Sequence, residues 1–163
     1  MVKKLIGFHK DCVNLFHGDE GEDIAEAIKT TYEKYQMNVS LFNISLENVE
    51  TLNKCAQVIF LTPEVHSKIL EGKLSHLLSK FEDSTHLILF HHHSIDVENE
   101  ATRKDLENKL PKKNWRFVPL GKDNYEFKGA LLDILKIIDT PEIFPVLKQF
   151  TLVPSSIWNV SIN

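Results

Sequence analysis

Three groups of side chains in this sequence have types and spacing that could do chemistry. His91-His92-His93 is a run of imidazoles. Alternate residues of an extended chain point to opposite sides, so at most two of them share a face. His91 and His93, joined by His17 from a neighbouring strand end or by Asp19, would make a metal site; the plainer expectation is a polar strand end facing solvent. Asp19, Glu20, Glu22 and Asp23 surround Gly18 and Gly21 where a phosphate loop would lie, and four carboxylates there repel phosphate rather than cradle it. No Lys-Ser or Lys-Thr follows these glycines, so a P-loop is excluded together with a flavin or dinucleotide phosphate site in the usual pose. Cys12 and Cys55 are too few for a disulfide framework or a zinc site by themselves. They read as small buried apolar side chains in a reducing compartment.

Nucleophilic catalysis fares no better. The chain has no G-x-S-x-G elbow, and neither cysteine stands at a helix start beside a base. Ser45 and Ser94 read as a cap and a turn residue. A phosphoacceptor domain needs an aspartate at the end of its third strand, and Leu61-Thr62-Pro63 supplies none. No cofactor is expected.

The elements that must position these residues follow from periodicity. Cys12–His17 reads as a short strand closed by Gly18-Asp19. A helical stripe follows through Ile24, Ala27, Ile28, Thr31, Tyr32 and Tyr35, with Asp19 and Glu22 at the spacing of a capping box. Met37 to Ile44 alternates as a second strand, after which Ser45 caps a short helix burying Val49, Leu52 and Cys55. Gln57–Leu61 is a continuous apolar run, as in a strand covered on both faces. Thr62-Pro63-Glu64 then supplies an N-cap, a proline at the first helical position and a carboxylate at the positive helix end. One helix from 63 to 81 is expected behind it, carrying Val65, Ile69, Leu70, Leu74, Leu77, Leu78 and Phe81 inward.

Leu87–Phe90 is the fourth strand. A charged stretch from Ser94 to Lys113 turns Leu106 and Leu110 inward. Trp115–Leu120 is the fifth strand, and its Pro119, lacking a donor, places it at a sheet edge. Asp123 and Glu126 repeat the capping-box spacing ahead of a helix that aligns Phe127, Leu131, Ile134, Leu135 and Ile138. Strands alternating with helices predict an α/β fold of the flavodoxin-like, doubly wound type: a five-stranded parallel sheet in the order 2-1-3-4-5.

The 163 residues carry 19 Lys and Arg against 23 Asp and Glu, a formal charge of −4, and are 42% hydrophobic. The balance excludes a disordered chain, and the missing basic excess argues against nucleic-acid binding. No apolar run is long enough for a membrane span, and the start of the chain lacks the apolar core of a signal peptide. A cytoplasmic protein is expected, in which the sequons at Asn38, Asn43 and Asn159 have no meaning. Residues 1–10 read as an N-terminal extension, 11–139 as the α/β domain, and 140–163 as a linker with one further strand from Gln149 to Val153.

The order of elements resembles a TIR domain. Asp11–Phe16 with the acidic helix start is similar to the first strand and helix of that family, and Gln57–Glu64 resembles its third-strand segment. Asn114-Trp115 before the last strand and Asn124-Tyr125-Glu126 opening the last helix resemble the close of the Dof/BCAP/BANK group of signalling adaptors. The resemblance implies a non-catalytic interaction module that self-associates and docks other TIR domains or receptor and adaptor proteins, in molecules linked to phosphoinositide 3-kinase signalling. It also implies that Phe150–Pro154 opens an immunoglobulin-like domain. The surface it points to is Asn43, Ile44, Ser45, Leu46 and Glu47, with the exposed faces of the helices at 63–81 and 98–110. TIR domains that cleave NAD resemble one another in a glutamate on the helix after the third strand. Here Leu74 stands at that position, with Glu71 one turn earlier as the alternative catalytic acid of an NAD hydrolase. A third reading is a small-ligand or metal-sensing domain built on the acidic and His-rich strand ends.

Overall fold

The computed structural model describes residues 12–34, 37–45, 55–81, 87–110 and 115–137. Among them the chain runs through β1 (Cys12–His17), a 3-10 turn (Asp19–Gly21), α1 (Glu22–Glu33), β2 (Asn38–Asn43), β3 (Ala56–Leu61), α2 (Pro63–Leu70), α3 (Ser75–Ser79), β4 (Leu87–His91), α4 (Glu100–Lys109), β5 (Trp115–Pro119) and α5 (Asn124–Ile137). The strands form a five-stranded sheet in the order β2-β1-β3-β4-β5, every pair parallel. This is the doubly wound, flavodoxin-like α/β architecture that the alternation predicts.

The strands are apolar for the reason parallel strands usually are: helices cover both faces. All of β3 and β4 is buried. On one face Val13, Leu15, Val58, Ile88 and Phe90 meet Ile24, Ile28 and Tyr32 of α1 and Phe127, Leu131 and Ile134 of α5. On the other, Phe16, Ile59, Leu61 and Leu89 meet Val65 and Ile69 of α2, Leu78 of α3 and Leu106 of α4. Tyr32 brings a hydroxyl into the first of these cores, and that hydroxyl donates to the Leu131 carbonyl at 2.9 Å. Burial raises the phenol pKa well above its usual value.

Three expectations about the elements need correction. The single helix from 63 to 81 is two helices, α2 and α3, because Gly72 adopts φ +77° between them and Leu74 is a boundary residue. A residue at that angle cannot continue a right-handed helix. Leu74, Leu78 and Phe81 still point inward, in the same core as Val65 and Ile69 with Leu77 packed against it, whereas Leu70 is half-buried and belongs to neither core.

The capping box of Asp19 and Glu22 does not form: the 3-10 turn takes its place, and α1 starts at Glu22 with Gly21 as its N-cap. That turn lies against the core, since a Cβ on Gly21 would come within 2.6 Å of the Phe60 ring.

The cysteines are the third correction. Cys12 and Cys55 are joined by a disulfide with their Cα atoms 5.1 Å apart. The reason is register. Val13 pairs with Ala56 across β1 and β3, so the residue before each strand member continues the ladder and sets the two sulfurs side by side. The reading of the chain as one from a reducing compartment loses the support it drew from free thiols.

The second strand, the fifth strand and the last cap follow expectation. β5 is an edge strand that ends at Pro119. Leu120 donates to the His91 carbonyl at 2.9 Å, so the alternation of a parallel ladder turns the missing N–H of Pro119 outward. Asp123 accepts from the Glu126 N–H at 2.9 Å, while Glu126 accepts from the Lys122 N–H at 2.7 Å. The readings of residues 1–10, of the helix after Ser45, of Tyr35, and of the linker and strand in 140–163 lie outside the described residues.

Candidate functional site

In an open parallel sheet the crevice for a ligand lies over the carboxyl ends of the strands, where the strand order reverses. Here that point is between β1 and β3, which lead into Gly18-Asp19-Glu20 and Thr62-Pro63-Glu64. Thr62 is the N-cap of α2, its hydroxyl accepting from the Val65 N–H at 3.4 Å, and Pro63 fills the first helical position. Glu64 is thereby held at the helix start, facing the turn after β1.

The two segments cap each other. The Glu64 N–H donates to the Glu20 carboxylate at 2.8 Å, and the Glu20 N–H donates to the Glu64 carboxylate at 3.1 Å. Each acid thus occupies backbone donors that would otherwise serve an anion. Gly18 permits the approach, since a Cβ there would lie 2.4 Å from Glu64 Oε1.

The turn after β2 is tied into the same group. Asn43 donates to Asp19 at 2.9 Å and accepts from the Ser45 N–H at 2.9 Å. Lys68 of α2 donates to the Ser45 hydroxyl at 2.9 Å and pairs with Glu64 at 3.6 Å, and the Ser45 hydroxyl faces Glu64 at 3.5 Å. Ile44 is half-buried against the core that holds Phe16 and Phe42. Of the expected surface, Asn43, Ile44 and Ser45 are therefore brought together over the switch point, while Leu46 and Glu47 lie outside the described residues. Crosslinked in this way, three strand ends present a braced acidic ridge with one cation, Lys68, on its flank.

The histidines separate. His17 faces the core between α1 and α5, since it shares its parity with Val13 and Leu15, and its Nδ1 donates to the Gly18 carbonyl at 2.9 Å. His91 shares the opposite face with Leu87 and Leu89. The sheet stands between them, so the expected grouping of His17 with His91 and His93 is not formed. Among the described residues no three His, Cys, Asp or Glu side chains are close enough to hold a metal ion.

This strand end faces solvent only in part: His93 is exposed, whereas His91 and His92 are 7% and 8% exposed. The reason is that the chain turns back directly after β4, with the Ile95 N–H donating to the His92 carbonyl at 3.0 Å. His92 Nδ1 accepts from the Ser94 N–H at 3.1 Å and lies 2.8 Å from its hydroxyl, and its ring centroid is 4.0 Å from that of His93. Burial, followed by its two histidine neighbours, lowers the pKa of His92 to about 4. Burial likewise lowers that of His91. Ser94 is thus a turn residue with a second role as the partner of His92.

Glu71 stands apart from all of this. It is the C-cap of α2, at the far end of that helix from the switch point, and it is exposed. It pairs with Lys73 at 2.9 Å and accepts from Ser67 at 3.2 Å, contacts that lower its pKa. Leu74 is buried in the core behind it.

Periodicity gives no warning of two further groups. Asn14 and Gln57 are opposite each other in the β1–β3 register, buried, and joined by a 3.2 Å hydrogen bond. A cavity of about 630 Å³ also opens beside β5, with His91 and His93 in its wall. The one signal for the first is a polar residue at the same step of two neighbouring apolar strands. No helix among the described residues is long and apolar enough to cross a membrane. The chain matches no protein-family model, no curated protein and no solved structure.

Proposed function

We propose that this chain is a non-catalytic, TIR-like interaction module of a cytoplasmic signalling adaptor, working by self-association and by docking other signalling domains. The observation that carries the reading is the mutual capping of Glu20 and Glu64, which fills the ligand crevice with the protein's own carboxylates. What is left over the strand ends is a rigid polar ridge in which Asn43, Ser45 and Lys68 are fixed by hydrogen bonds. A braced surface loses little side-chain entropy on docking, which favours protein contact. The resemblance to the adaptor TIR group points the same way.

Light scattering over a concentration series tests it. The expected result is a mass that rises with concentration and a rise that Ser45→Arg abolishes while the fold, followed by circular dichroism, is kept. A mass that stays monomeric at every concentration, or release of nicotinamide on incubation with NAD that Glu71→Gln removes, would overturn the reading. The Cys12–Cys55 bridge bears on the compartment: thiols blocked by alkylating intact cells before lysis would place the chain in a reducing compartment, and an unblocked bridge would move it to an oxidising one.

A further inference from the structure

The cavity beside β5 is independent of the switch point. Its floor is the outer part of the sheet face under α4, where Trp115 and Phe117 share a side with His91, and its rim is the turn after β4 with Asp96 and Glu98. About 630 Å³ lies within the usual range for small-molecule sites of roughly 300–1,000 Å³.

The charged groups on its wall are of both signs, Arg103 and Arg116 against Asp96 and Glu98. Arg103 of α4 lies over the Phe117 ring, its guanidinium carbon 4.3 Å from the centroid. Its ion pair with Glu107 runs through Nε at 3.6 Å. A guanidinium held flat on an aromatic ring is preorganised to take a carboxylate in a two-pronged bond. Asp96 and Glu98 belong to the opposing turn, which is fixed by the Glu98 N–H donating to Asp96 at 3.2 Å. His91, nine-tenths buried, belongs to the same wall. Arg103, Asp96 and His91 all line this one cavity.

A plain anion would meet Asp96 and Glu98, and a plain cation would meet Arg103 and Arg116. We infer that the cavity binds a small zwitterion of the amino-acid class. Its carboxylate lies on Arg103, its apolar side chain against Phe117 and Trp115, and its ammonium at Asp96 and Glu98. No bond is made or broken. The occupant is recognised by two charges of opposite sign set on one apolar body.

Calorimetric titration of the full chain tests this with three probes: L-phenylalanine, 3-phenylpropionate, which lacks the ammonium, and phenethylamine, which lacks the carboxylate. L-phenylalanine is expected to bind with a Kd of about 1 mM or tighter, and each of the other two about tenfold more weakly. Arg103→Lys keeps the charge and loses the fork, and is expected to weaken L-phenylalanine about tenfold. Glu98→Gln, a change at an exposed turn position, is expected to weaken L-phenylalanine and leave 3-phenylpropionate unchanged. No heat from L-phenylalanine at about ten times that concentration overturns the inference. So does 3-phenylpropionate or phenethylamine binding as tightly as the zwitterion, or Arg103→Lys titrating like the unaltered chain. Failure here leaves the self-association assay untouched, because Ser45 and Lys68 are at another strand end.

Discussion

Glu20 and Glu64 each accept a hydrogen bond from the other's backbone N–H, at 2.8 and 3.1 Å, across the point where the strand order reverses. Two acids 44 residues apart thus do for each other what a bound anion does in other proteins of this architecture. The pairing costs no buried charge, since both side chains stay partly exposed, and it fixes the turn after β1 to the start of α2.

Disrupting that pair has a measurable signature. Glu64→Ala is expected to lose about 1–2 kcal/mol, the usual cost of a helix-terminal cap. Gly18→Ala acts on the same contact, because its Cβ would lie 2.4 Å from Glu64 Oε1 and displace the carboxylate. Urea denaturation of both single variants and the double should show the double costing little more than either alone. Additive losses would show that Gly18 and Glu64 act separately.

Acid should weaken the fold through its histidines. The imidazole of His92 titrates at 6.5 when unfolded and about 4 when folded, so between those values the unfolded chain binds the extra proton. Stability therefore rises with pH across that window and is lost as pH falls through it. His91 and His66 are shifted in the same direction by burial, although Asp105 opposes the shift of His66. Melting temperatures measured from pH 7 to pH 4.5 are expected to fall steadily, and His92→Gln should flatten the slope. A variant with the unaltered slope would place the titration elsewhere.

The disulfide closes a loop between residues 43 apart in the sequence. Replacing Cys12 and Cys55 together with serine is expected to cost about 2–4 kcal/mol, chiefly by restoring freedom to the unfolded chain. A reducing agent should lower the melting temperature of the native protein and leave that of the double variant where it was. Equal response of the two proteins would dissociate the effect from the bridge.

Phe16 is fully buried on the α2–α4 face, stacked on Phe42 at 5.0 Å and tilted against Phe81 at 5.3 Å. Phe16→Ala should cost about 3–5 kcal/mol and Phe16→Leu clearly less. Chemical denaturation of the two variants gives the comparison, and a difference of near zero would mean that the ring contacts add nothing beyond volume.

At Gly72 the backbone angle matters more than space, because a Cβ there would meet nothing within 4 Å. Gly72→Ala is expected to cost about 1 kcal/mol through the positive φ alone, and Gly72→Asn less. Thermal melts of both variants would expose a steric cause if Asn proved the worse of the two.

Local pattern was enough to determine the sheet. Continuous apolar runs such as Gln57–Leu61 and Leu87–Phe90, separated by helical stripes, leave a parallel, two-sided core as the arrangement that buries them, and short crossovers fix the strand order. Caps were legible where all their parts lie within one turn, as in Thr62-Pro63-Glu64 and Asp123–Glu126. Everything that depends on which strand lies beside which was decided only in three dimensions. The Cys12–Cys55 bridge and the Asn14–Gln57 pair follow from the β1–β3 register, and the Glu20–Glu64 pair from the adjacency of two strand ends. The parting of His17 from His91 follows from which face of the sheet each one takes. In one dimension these residues are 43 or more apart, and only chain packing brings them together or puts a sheet between them.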